Sequence, residues 1–218
     1  MTAIEPGLGP HHPDVIPAAA DLEGKIPRAL AALGVGAGRA VALVDGPGAP
    51  WLPALRQVGA DPLVVELAAP LRIQAPNTSL DLVVTLFSGF RGVEWADLAE
   101  VDRVLRPGGR LLVVHAYGRD DVSALHDEGA PEYRLWSRRE GPFLRGGGFK
   151  IRVVHCFWTF PDLDEARATL VAAFGERGEG VAARLKRPRL SWNVAIYHRW
   201  RGGVAPAGAT DDEAEPPA

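Results

Sequence analysis

Four short runs of this chain are apolar on both faces of an extended backbone: Arg39–Asp45 (RAVALVD), Leu63–Leu67 (LVVEL), Asp81–Phe87 (DLVVTLF) and Arg110–Tyr117 (RLLVVHAY). A strand with one wet face alternates polar and apolar residues. One that does not alternate needs cover on both sides, as in a parallel sheet flanked by helices. Helical patterns fill the gaps. Trp95, Leu98, Val101 and Leu105 form one stripe, predicted to stop at Pro107-Gly108-Gly109. A second helix starts after Pro161, with Asp162 as its cap, Glu165 three residues on, and a buried stripe of Leu163, Ala166, Leu170 and Phe174 before Gly175 ends it. Phe149–Phe160 and Trp192–Trp200 flank that helix as two further strands, positioned to pair antiparallel. The order is β-α repeated through five strands, then a two-strand ending. It predicts a doubly wound, mostly parallel seven-stranded α/β sheet with an antiparallel last strand.

Both ends read differently. Residues 1–17 carry Pro6, Gly7, Gly9, Pro10, Pro13 and Pro17, and are expected to be a flexible segment. Residues 202–218 combine Gly, Ala and Pro with Asp211, Asp212, Glu213 and Glu215, and are expected to be a disordered acidic tail. The folded domain is therefore placed at 18–201, long enough for an ample core. A formal charge of −3 exerts no global pull toward nucleic acid or anionic membrane. No apolar run approaches the ~20 residues that span a bilayer. The single Cys156 excludes an internal disulfide, and no basic-then-apolar leader opens the chain, so a cytoplasmic location is expected.

In doubly wound sheets ligands bind beyond the carboxyl ends of the strands, where strand order reverses. That places a site near residues 45–50, 66–69 and 86–91. Glycine-rich runs elsewhere lack this context. Gly34-x-Gly36-x-Gly38 precedes a strand instead of following one, and Gly146-Gly147-Gly148 has the same defect. A dinucleotide fingerprint starting at Gly46 would need glycine where Trp51 stands, which disfavours a nicotinamide enzyme.

Ser79-Leu80-Asp81-Leu82-Val83-Val84, followed by Glu100-Val101-Asp102-Arg103-Val104-Leu105-Arg106-Pro107-Gly108-Gly109 and the run Arg110–Val114, resembles the class I S-adenosylmethionine-dependent methyltransferases, nearest to their type 11 group. Gly148-Phe149 before the next strand is similar to a common feature of that family. The resemblance implies a Rossmann-like methyltransferase fold with S-adenosylmethionine as cofactor. Carried onto this chain, it assigns Gly46 and Gly48 to the bend that admits the cofactor, with Asp45 beside its ammonium group. It also assigns Glu66 to the ribose hydroxyls, a task for which two carboxylate oxygens match a vicinal diol. Residues 86–91, headed by Leu86 and Phe87, would flank the transferred methyl, and residues 118–147 would form a lid over the acceptor. The chain departs from the family pattern at three places. Pro50 replaces the third glycine of the bend, Asp45 sits directly before Gly46, and Ala69 or Pro70 stands where an adenine-contacting aspartate is usual.

Catalytic residues are not marked. Phe87-Ser88-Gly89-Phe90 is not the Asn/Asp-Pro-Pro-aromatic tetrad of enzymes that methylate amino groups of nucleic acid. His115 and Tyr117 share one face at the exit of a strand and are candidate substrate contacts. His155 and Cys156 are adjacent and point to opposite faces, so they form no dyad, and Cys156 is expected in the core. His11-His12 has no partners at metal-ligand spacing, and no metal is expected. The basic run Arg184, Lys186, Arg187 and Arg189 reads as a solvated loop. Without a nucleic-acid module, the expected acceptor is a small molecule. Two functions stay open: a methyltransferase, or a methyltransferase-like fold that serves as a non-catalytic binding or regulatory partner.

Overall fold

The parallel part of the sheet is visible in the burial of its strands. A computed structural model describes residues 19–45, 49, 51–88, 90, 94–125 and 132–203. Its strands are β1 (Val41–Asp45), β2 (Leu63–Glu66), β3 (Leu80–Leu86), β4 (Leu105–Ala116), β5 (Lys150–Thr159) and β6 (Arg189–Trp200). They form one sheet in the order β2-β1-β3-β4-β6-β5. The pairs β1/β2, β1/β3 and β3/β4 are parallel, while β6 runs antiparallel to both β4 and β5. Strand order therefore reverses between β1 and β3. Every residue of β1 is buried, as its unbroken apolar run requires.

Helices cover both faces. One face holds α1 (Lys25–Ala32), α2 (Leu52–Arg56) and α6 (Leu163–Arg184). Here Ile26, Leu30, Leu55, Ala166 and Leu170 pack on Leu43, Val84, Leu112 and Ile196. The other face holds α3 (Trp95–Val104), α4 (Glu132–Trp136) and α5 (Pro142–Arg145), with Leu98, Val101, Trp136 and Phe143 over Val44, Val83, Val113 and Tyr197. The Asp162 carboxylate caps α6 by accepting the Glu165 N–H at 2.8 Å. Gly175, at φ 55° and ψ −133°, breaks the helical backbone where the sequence predicts the end of the first helical stretch.

Three expectations need correction. Among the described residues the sheet has six strands, not seven. The chain between β2 and β3, residues 67–79, forms neither helix nor strand. A typical helix and strand together need about 17 residues, more than this segment holds. It is braced from α3 instead. Asp97 accepts the Leu71 N–H at 3.0 Å and Glu100 accepts the Ile73 N–H at 2.8 Å. Arg103 donates to the Ile73 and Ala75 carbonyls at 2.9 and 3.0 Å. Leu71 and Ile73 are thereby pinned into the core.

As a consequence β2 is the edge of the sheet, with Leu63 and Val64 both exposed although the sequence predicts cover on both faces. Finally, α3 ends at Val104, ahead of Pro107-Gly108-Gly109. Leu105 is already extended and pairs with Leu80. The Pro-Gly-Gly turn shifts the β4 register instead, with Gly108 at φ 77°. A Cβ on Gly109 would come within 3.0 Å of the Arg106 and Asp81 carbonyl oxygens, so glycine is needed there for close approach.

Candidate functional site

β1 and β2 run parallel in a register that sets Asp45 beside Glu66. In-register neighbours of a parallel pair point the same way, so both carboxylates occupy the face covered by α1, α2 and α6. Their environments differ. Asp45 is buried at 1% exposure; its Oδ2 accepts the Trp51 N–H at 3.3 Å, and its carbonyl accepts the Leu67 N–H at 2.9 Å. It ties the first residue before α2, and the exit of β2, to the end of β1. Glu66 is exposed at the same edge. Gly46, Gly48 and Pro50 lie outside the described residues. Between them Ala49 adopts φ 45°.

One strand over, Leu86 closes β3 and Phe87 follows it, donating its N–H to the Val114 carbonyl at 2.8 Å. Leu86 is fully buried and Phe87 is 7% exposed. The Phe87 ring packs against two indoles: Trp51 at 4.8 Å and 38°, and Trp192 at 5.3 Å and 22°. Trp192 in turn meets Trp158 at 6.2 Å. An aromatic row thus crosses this face from the bend after β1 to β6. Phe87 sits at φ 57°, Phe90 at 56° and Arg119 at 60°. With Ala49, these are non-glycine residues in the left-handed region on loops that follow the carboxyl ends of β1, β3 and β4. Such backbone is costly and concentrates at functional sites.

The opposite face carries the remaining candidates. His115 is 6% exposed, places Nε2 3.1 Å from the Phe90 carbonyl, and packs its ring 4.7 Å from Trp136. The carbonyl only accepts, so Nε2 carries the proton in that contact. Tyr117 packs on the same side, with Arg119 5.5 Å above its ring. The structure therefore brings Asp45, Glu66, Leu86 and Phe87 to one face and sets His115 and Tyr117 on the other. Sequence reasoning passed over Thr85 and gave Ser88 no role beyond its place in the 86–91 stretch. Their hydroxyls lie 3.1 Å apart, and Ser88 donates to the Val44 carbonyl at 3.1 Å, linking the ends of β1 and β3. The available signal was Thr85 itself, a polar residue inside an apolar run.

The described part of residues 118–147 is strapped down. Asp121 accepts from the Ser191 N–H and Oγ–H at 2.9 and 2.7 Å, and Asp120 accepts the Asn193 N–H at 2.7 Å. Trp136 and Phe143 belong to the core. Cys156 is buried, and burial, with the Asp21 carboxylate nearby, pushes its thiol far above the ordinary range, which leaves no reactive thiolate. Arg184, Lys186, Arg187 and Arg189 are exposed, and Arg189 lies 4.5 Å over the Phe157 ring. Among the described residues no group of three or more His, Cys, Asp or Glu is arranged to hold a metal ion, and no helix is long and apolar enough to cross a membrane. His11 and His12 lie outside the described residues, as do 1–18 and 204–218.

No family model and no curated protein matches this chain. Solved structures that it is similar to include an S-adenosylmethionine-dependent methyltransferase from Aquifex aeolicus, with 19% identity and a TM-score of 0.46 over 81% of this chain and 90% of that one. The YcgJ protein of Bacillus subtilis is similar at 12% identity and a TM-score of 0.42, over 79% of this chain and 96% of that one. A third is a Haemonchus contortus phosphoethanolamine N-methyltransferase, in complex with phosphomonomethylethanolamine and S-adenosylhomocysteine. Its identity is 15% and its TM-score 0.41, over 81% of this chain and 52% of that one. All three lie below 20% identity and below a TM-score of 0.5.

Proposed function

We propose that this chain is a cytoplasmic methyltransferase that binds S-adenosylmethionine at the carboxyl edge of β1 and β2 and transfers its methyl group to a small-molecule acceptor. The observation that carries the reading is the register that sets Asp45 beside Glu66 at the carboxyl ends of β1 and β2, next to the β1/β3 reversal, with one carboxylate buried and the other open. The two then divide the work. Asp45 accepts the Trp51 N–H and so ties the start of α2 to the end of β1, while Gly46 and Gly48 would admit the cofactor. Glu66 presents two acceptor oxygens to a ribose diol. Leu86 and Phe87 form an apolar wall that keeps water from the methyl position.

The cofactor itself would supply an electrophilic methyl on sulfur. Transfer from a sulfonium then asks the protein mainly for alignment of the acceptor atom with that carbon. His115 and Tyr117, on the opposite face of the sheet, would line the acceptor side.

A titration calorimetry experiment with S-adenosylhomocysteine tests this. Wild-type protein is expected to bind in the micromolar range, and Glu66→Ala to weaken binding by about tenfold or more, the value of one to two hydrogen bonds to a charged group. Because Glu66 is exposed, its removal should leave folding intact. Absence of heat at millimolar ligand would overturn the reading. A second reading, a non-catalytic binding or regulatory partner, draws on the burial of Leu86 and Phe87, which exposes little of either side chain to a ligand. That same silent titration would favour it.

A further inference from the structure

We propose that Trp51 is a displaceable cover over the methyl end of the cofactor site, so that cofactor binding requires its indole to leave Phe87. The proposal rests on the reading of the site given above. Phe87 packs against both Trp51 and Trp192 and is only 7% exposed; Leu86 beside it is fully buried. With so little of its ring open, a methyl donor reaches Phe87 only by displacing a neighbour.

The two indoles are not equally fixed. Trp192 is 5% exposed, belongs to a β6 strand paired on both sides, and packs against Trp158. Trp51 is half-buried. It precedes α2, a helix of only five residues, and its backbone is held to Asp45 through one long hydrogen bond of 3.3 Å. Its ring meets Phe87 at 4.8 Å and a 38° tilt, where Trp192 stacks at 5.3 Å and 22°. Phe87 itself (φ 57°), and Ala49 (φ 45°) two residues before Trp51, stand on left-handed backbone. Trp51 is the partner that yields at lower cost.

Its position explains what the cover would do. Trp51 reaches from the bend after β1 to the first residue beyond β3, across the crevice where strand order reverses. A ring lying there competes directly with a ligand in that crevice, and the free energy of the Trp51–Phe87 contact is lost from apparent affinity. An aromatic contact of this kind corresponds to about two- to tenfold in binding.

The test is S-adenosylhomocysteine titration of the full chain carrying Trp51→Ala or Trp51→Phe, beside wild type and Glu66→Ala. Trp51→Ala should bind about two- to tenfold more tightly than wild type, with Trp51→Phe close to wild type. Saturating ligand should also change tryptophan emission in wild type by an increment that Trp51→Phe lacks. This second readout needs no alanine variant to fold. Equal or weaker binding by Trp51→Ala, or identical emission changes in wild type and Trp51→Phe, overturns the cover while a weakened Glu66→Ala keeps the cofactor site. If neither wild type nor Trp51→Ala binds, cover and site fall together.

Discussion

Removing the Glu100 carboxylate tests how residues 67–79 are held. Glu100 is 9% exposed, and its Oε1 accepts both the Ile73 N–H at 2.8 Å and the Arg103 guanidinium at 2.8 Å. The hydrogen bond from Arg103, with help from Ile73 and against the opposing effect of burial, lowers its pKa from 4.5 to about 2. In Glu100→Ala the Ile73 N–H loses its acceptor beside a buried side chain, at a cost of about 1–3 kcal/mol at neutral pH. The pH dependence has a definite sign. A carboxylate whose folded pKa is depressed contributes stability fully above its unfolded value, near 4.5, and loses it as pH falls toward about 2. Urea unfolding of wild type and Glu100→Ala at pH 7, 5, 4 and 3 reads both quantities. The gap between the two proteins should hold from pH 7 to 5 and narrow below 4.5. A gap under about 0.5 kcal/mol at pH 7, or one that stays constant into acid, would refute the bracing argument.

Two further substitutions probe the scaffold. Asp162→Ala removes the acceptor for the Glu165 N–H at the start of α6 and should cost about 1 kcal/mol in urea unfolding, with Asp162→Asn close to wild type. Asp102→Ala takes the carboxylate 3.1 Å from Arg199, a guanidinium that is 7% exposed and has buried Nε and Nη1 atoms without hydrogen-bond partners; a loss of about 2–4 kcal/mol is expected, visible as a lowered urea midpoint, and an unchanged midpoint would contradict it.

What the chain's residues disclosed, and what they hid, follows from the range of the forces involved. β1 and β3 were legible because their cover is a local consequence of unbroken apolar sequence. The Asp162 cap was legible because donor and acceptor lie three residues apart. Residues 67–79 were not, since Asp97, Glu100 and Arg103 reach them from 26 to 30 residues away and leave no periodic trace. The apolar run of β2 predicts that its faces want cover, but pattern alone cannot say whether the chain provides it. At the candidate site, strand ends located Asp45 and Glu66, and strand alternation put His115 and Tyr117 on one face together. It did not reveal that this is the face opposite Glu66, nor that Phe87 would pack against Trp51 and Trp192. Those facts depend on register and on left-handed backbone at Ala49 and Phe87, which no sequence rule assigns to alanine or phenylalanine.

The most direct measurement is a crystal structure of the full chain grown with S-adenosylhomocysteine. Density for the nucleoside beyond β2, with ribose hydroxyls about 2.7–3.0 Å from the Glu66 carboxylate and the homocysteine end beside the 46–48 bend, is the predicted result. A crystal saturated with ligand in which Glu66 faces only solvent, and the crevice between β1 and β3 holds nothing but protein side chains, would contradict it.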